Sequence, residues 1–147
     1  MTDEKKDFLE RIGDVYAPFI DYEKQADIVI KLYEEFRNKP LDFISGTSLG
    51  GIIAFHLAKL LNVPCLLFNP AVIALNQIKQ FIPNKAFETD YKQNSMVVIG
   101  LKDDIVDPNL QIEFFKNFIL IKETELEHGI PIEIFEEYFN EFFEKIF

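Results

Sequence analysis

The chain has 147 residues, 48% of them hydrophobic, a length and composition that fit a single domain, 1–147, with a full core. Its 25 acidic and 15 basic residues leave a formal charge of -10, which repels a phosphate backbone or an anionic lipid surface and so disfavours nucleic acid and membrane as partners. One cysteine, Cys65, excludes an intramolecular disulfide and offers no zinc pattern; inside the apolar run 63–68 it reads as a buried structural thiol.

The opening MTDEKKDFLER is charged and lacks the apolar core of a secretory signal, and no apolar run reaches the length of a membrane span. A cytoplasmic protein is expected. A short helix over 4–12, ended by Gly13, opens the pattern, and a first strand is expected at 14–19. The next segment, 21–38, places Tyr22, Ala26, Val29, Ile30, Tyr33 and Phe36 on one helical stripe, with Asp21 as its N-cap. Strands at 41–45, 63–68, 96–100 and 118–122 are mostly continuous apolar runs, the pattern of strands buried on both faces of a parallel sheet. Helices are expected between them: 49–61, apolar nearly all round; 71–82; and 108–115, with Asp107 as N-cap and Pro108 at the first helical position. A last helix, 131–146, turns Phe135, Tyr138, Phe139, Phe142 and Ile146 inward and a row of glutamates outward.

This alternation predicts an α/β fold: a three-layer sandwich with a mostly parallel five-stranded sheet in sequential order. Right-handed crossovers moving one way put their helices on one face, so the first and last helices must cover the other. Chemistry in such sheets gathers at the carboxyl ends of the strands.

Three signals lie at those ends. After the second strand comes Gly46-Thr47-Ser48-Leu49-Gly50-Gly51, a Gly-x-Ser-x-Gly elbow in which small neighbours relieve a cramped serine whose hydroxyl projects at a helix N-terminus. The Leu49 N–H faces the same space, where an oxyanion would form. The lysine and following hydroxyl residue of a phosphate-binding loop are missing. After the fourth strand, Asp103 is placed as a carboxylate at the rim, while Asp104 reads as solvated and Asp107 as a helix cap. After the fifth strand, His128 lies in Glu127-His128-Gly129, with Gly129 read as permitting a sharp turn. The other histidine, His56, is carried away from Ser48 by its own helix and reads as a packing or surface residue. The chain order Ser48, Asp103, His128 is that of the α/β-hydrolases.

The elbow, the run Asn69-Pro70-Ala71-Val72 after the third strand, Asp103-Asp104-Ile105-Val106-Asp107, and His128 before a final helix together resemble the small YqiA-like esterases of the α/β-hydrolase superfamily, from about Val15 onward. The resemblance implies a minimal hydrolase fold and cofactor-free, serine-dependent cleavage of small carboxylic esters or thioesters. It assigns Ser48 as nucleophile, Asp103 as acid, His128 as base and the Leu49 amide as an oxyanion donor. It also implies an opening strand ending in a His-Gly loop that supplies a second donor, and no segment before 4–12 can be that strand. The run 14–19 is therefore expected to pair with 41–45, placing the Ile20 amide as substitute donor and leaving an edge that invites a homodimer. The competing class is a non-catalytic protein-interaction module derived from a hydrolase fold.

Overall fold

The computed structural model describes residues 1–23 and 27–147. Helix α1 (Asp3–Ile12) starts where the Thr2 side chain accepts the Lys5 N–H, carries Asp3 and Glu4 in its first turn, and buries Phe8. The following residues 14–19 form no strand, which corrects the sequence expectation. Phe19 is 89% exposed, and Pro18 has no N–H to give to a ladder. Tyr16 instead sets its ring against Phe36 and beneath the Lys39 ammonium.

Helix α2 (Ile28–Phe36) begins after Asp27, later than the apolar stripe suggested. The Asp21 Oδ1 accepts the Glu23 N–H within a turn that precedes the start of α2, whose N-cap position is Asp27. Part of the expected helix, residues 24–26 with Ala26, lies outside the described residues.

The sheet has four strands among the described residues, all parallel and in the order β1 (Ile44–Thr47), β2 (Cys65–Phe68), β3 (Met96–Gly100), β4 (Ile119–Glu123). Its first edge is β1, so the expected pairing of 14–19 with 41–45 does not occur and the sheet loses one strand from the predicted five. The two central strands are buried throughout, as their unbroken apolar sequences require. Leu66, Phe68, Met96 and Val98 point to one face, where they meet Phe8 of α1 and Phe135, Tyr138, Phe139 and Phe142 of α7 (Ile132–Ile146). Phe68 stacks on Phe135 and Phe139, with ring centroids 5.4 and 6.1 Å away.

Cys65, Leu67, Val97 and Ile99 point to the other face, against α3 (Ser48–Leu61) and Phe115, which closes α6 (Pro108–Phe114). The crossovers thus share one face and the terminal helices the other, as one-way right-handed winding dictates. Helix α3 is apolar nearly all round because α2 and α5 (Asn84–Glu88) pack on its far side through Val29, Leu32, Ile53, Leu57 and Ala86. Between β2 and α5 the single expected helix is a chain of short turns: a 3-10 turn (Val72–Ala74), α4 (Leu75–Ile78) and a second 3-10 turn (Lys79–Phe81).

Candidate active site

At the carboxyl end of β1 the chain reverses direction within one residue. Ser48, the first residue of α3, has φ 52, a left-handed conformation that a side chain occupies only under constraint. Packing supplies the constraint. A Cβ on Gly46 would stand 2.4 Å from the Gly50 carbonyl oxygen, so only glycine lets helix and strand close this tightly. Ala71 donates its N–H to the Ser48 carbonyl at 2.9 Å, tying the elbow to the end of β2.

Asp103 follows β3 in a tight turn and its side chain is fully buried. Its Oδ1 accepts the N–H groups of Ile105 (2.8 Å) and Val106 (2.9 Å), which fix the carboxylate plane and leave Oδ2 free to face His128. His128 Nδ1 lies 2.8 Å from that oxygen, and Nε2 lies 3.0 Å from Ser48 Oγ. A carboxylate only accepts, so Nδ1 carries the hydrogen and donates it to Asp103, leaving Nε2 to accept from the Ser48 hydroxyl. Three residues from three strand ends therefore form one chain of hydrogen bonds. Asp104 is exposed and outside it, and Asp107 caps α6 by accepting the Asn109 N–H at 2.9 Å.

What holds the imidazole in place was not assigned from sequence. Asn69, in the left-handed region with φ 42 and only 1% exposed, sits just past β2. Its Nδ2 donates to the carbonyls of Glu127 (2.9 Å) and His128 (3.0 Å), and its Oδ1 accepts the Gly100 N–H at 2.8 Å. One amide thus ties the histidine loop to the ends of β2 and β3. The loop also crosses Gly100 so closely that a Cβ there would stand 2.4 Å from the Leu126 carbonyl oxygen. Lys102 donates its N–H to that same carbonyl at 3.0 Å. The signal in the sequence was Asn69 itself: a polar residue ending an apolar strand and followed by proline. Gly129 is a different matter. Its φ is not positive and nothing lies within 4 Å of a Cβ placed on it, so the turn does not depend on glycine.

Ser48 and His128 open onto a cleft of about 450 Å³, bounded also by Met1, Thr2, Lys5, Thr47, Gly129 and Ile130. Leu49 is the second residue of α3, so its N–H precedes the first that can pair inside the helix. Ile20 does not line the cleft; its side chain packs on the α2–α3 layer, and two residues on, the Tyr22 hydroxyl stands 3.3 Å from where a Gly50 Cβ would be. His56 is buried far along α3, between the rings of Phe55 (4.9 Å) and Phe87 (5.1 Å). Burial, aided by the nearby Lys59 charge, lowers its pKa to about 4. Burial likewise pushes the Cys65 thiol up to about 11, as suits an unreactive core residue. No three His, Cys, Asp or Glu side chains among the described residues gather as a metal site requires.

The sequence matches the family described as "Uncharacterised protein family (UPF0227)" over residues 15–98, more than half of the chain. The chain belongs to this family. It is the YqiA-like family, so the resemblance drawn from the elbow and the Asn69-Pro70-Ala71-Val72 run is met. No curated protein matches the sequence. Among solved structures, acyl-protein thioesterase 2 of Zea mays is similar, with a TM-score of 0.55 and 15% sequence identity, covering 92% of this chain and 71% of that one. At that identity the likeness is one of fold, and the fold is that of an α/β-hydrolase. Among the described residues no helix is long and apolar enough to cross a membrane.

Proposed function

We propose that the protein is a serine hydrolase that cleaves small carboxylic esters or thioesters through Ser48, His128 and Asp103. The observation that carries this reading is the continuous pair of hydrogen bonds from Asp103 Oδ2 through the imidazole to Ser48 Oγ. A serine hydroxyl attacks a carbonyl only when a base removes its proton as the new bond forms. In this mechanism His128 Nε2 takes that proton, Ser48 Oγ bonds to the carbonyl carbon, and the Asp103 carboxylate stabilises the resulting imidazolium. The Leu49 amide, at the positive end of α3, receives the oxyanion. The imidazolium then gives its proton to the departing alkoxide or thiolate, leaving an acyl-serine. Water, deprotonated by the same nitrogen, attacks that acyl group and restores the hydroxyl.

The second oxyanion donor in this reading is the Ile20 amide, and the support for it is the path of the chain, which brings Tyr22 to within contact of Gly50 at the start of α3. Replacing Ile20 by proline deletes that N–H and is expected to lower turnover roughly a hundredfold; unchanged turnover removes Ile20 from the site.

The test of the whole reading is covalent labelling. A fluorophosphonate is expected to modify the wild-type protein on Ser48 and to leave Ser48→Ala unmodified, with ester turnover falling on the order of a million-fold in the variant. Equal labelling of the two, or of neither, ends the enzyme reading and leaves the non-catalytic interaction module in its place.

A further inference from the structure

The cleft above Ser48 is built from a chain with a formal charge of -10, yet among the described residues no aspartate or glutamate lines it. Among the described residues its one cationic side chain is Lys5, from the first turn of α1. Nine other lysine and arginine side chains make ion pairs with carboxylates, among them the adjacent Lys6 with Glu10 at 3.6 Å. Lys5 makes none among the described residues. Its Nζ stands instead 5.2 Å from the centroid of the Phe135 ring, a contact that holds the ammonium in place without neutralising it. Burial lowers the Lys5 pKa, the mark of a cation partly stripped of water and given no counter-ion. Asp3 and Glu4, which share its helical turn, are exposed and do not line the cleft. The N-termini of both α1 and α3 border the same space and add their partial positive charge.

We propose that Lys5 is a specificity-determining residue, and that the cleft takes esters or thioesters bearing an anionic group, a carboxylate or a phosphate, close to the scissile carbonyl. This rests on the serine-hydrolase reading and adds the class of its substrate. An anion in the cleft supplies the counter-ion that Lys5 lacks, and its charge-assisted hydrogen bond forms where water is already partly excluded. Because α1 packs on α7 through Phe8, at 5.9 Å from the Phe139 ring, the ammonium is presented from a fixed element. The anion is held equally before and after acyl transfer, so Lys5 acts on KM and leaves kcat largely alone.

Two measurements on the whole chain test this. Hydrolysis of the 4-nitrophenyl monoesters of glutarate and of 3-phosphonopropanoate is compared with that of 4-nitrophenyl pentanoate, and calorimetry compares N-ethylglutaramate with its methyl ester, which cannot ionise. The expected result is that each anion is favoured roughly tenfold over its neutral counterpart, that Lys5→Met abolishes the preference, and that Lys5→Arg and the neutral substrate's kcat stay near wild type. The tighter of the two anions identifies the class. Wild-type protein that shows no preference for the anion, or a preference that survives in Lys5→Met, overturns the proposal. Hydrolysis of the neutral ester alone would sink only the anion selectivity. A Lys5-dependent preference in calorimetry without hydrolysis of any ester would instead sink the serine-hydrolase reading and leave an anion-binding cleft.

Discussion

The side-chain amide of Asn69 donates to the His128 main-chain carbonyl at 3.0 Å, so the residue just past β2 holds the loop carrying the imidazole 59 positions later. The same amide bonds Glu127, and its oxygen takes the Gly100 N–H. His128 is a quarter exposed and sits on a loop, a setting in which an imidazole drifts between rotamers. Its alignment with both Ser48 and Asp103 therefore depends on the backbone beneath it, and Asn69 is what ties that backbone to the sheet.

Asn69→Gly is the variant that isolates this role. Glycine accepts φ 42 without strain, so the change removes the amide and keeps the turn. It leaves the buried Gly100 N–H without its acceptor, at a cost of about 1–3 kcal/mol. A histidine displaced by a fraction of an ångström is expected to lower kcat roughly a hundredfold with KM little changed. Urea titration measures the first effect and steady-state kinetics the second. A loss of stability with kcat intact would reduce Asn69 to a structural residue.

Asp103→Asn keeps the shape of the buried acid and reverses its hydrogen bonding, because an amide nitrogen facing Nδ1 favours the wrong imidazole tautomer. Turnover is expected to drop roughly ten-thousand-fold. Asp104→Asn, on an exposed side chain beside it, is expected to be close to neutral. Steady-state rates of both variants across pH decide the assignment: the larger loss in Asp104→Asn would transfer the role.

Much of this was legible because burial leaves a plain mark. Cys65–Phe68 and Met96–Gly100 are unbroken apolar runs since both faces of each central strand are covered. The elbow shows in sequence because Gly46 and Ser48 answer to steric limits within a few residues of one another. The failures share a cause of the opposite kind. Residues 14–19 have strand-like composition, but Phe19 and Tyr16 find no second strand and face solvent or a helix, and composition carries no record of a missing partner. The Asn69 tether joins residues that only the fold brings together. Gly129 was overread, since glycine there meets no contact that requires it. Of the site residues, Ser48, Asp103 and His128 converge as their positions after separate strands suggested, and the Ile20 side chain turns into the α2–α3 layer.

His56 yields a prediction about stability with no bearing on the site. It is 1% exposed, and neither ring nitrogen has a hydrogen-bond partner among the described residues. Burial first, and the Lys59 charge second, lower its pKa from 6.5 to about 4. Between those values the unfolded chain binds a proton that the folded chain refuses, so stability rises with pH across this window and is lost on acidification through it. The full difference corresponds to about 3 kcal/mol, in place at neutral pH and withdrawn by about pH 4. His56→Phe removes the titrating group and two unsatisfied polar atoms while keeping a ring between Phe55 and Phe87. Its urea midpoint is expected to change less than that of wild type between pH 7 and pH 4, and the two curves to diverge most at the acid end. Parallel curves would mean that His56 is protonated, or reaches a partner, in the folded protein.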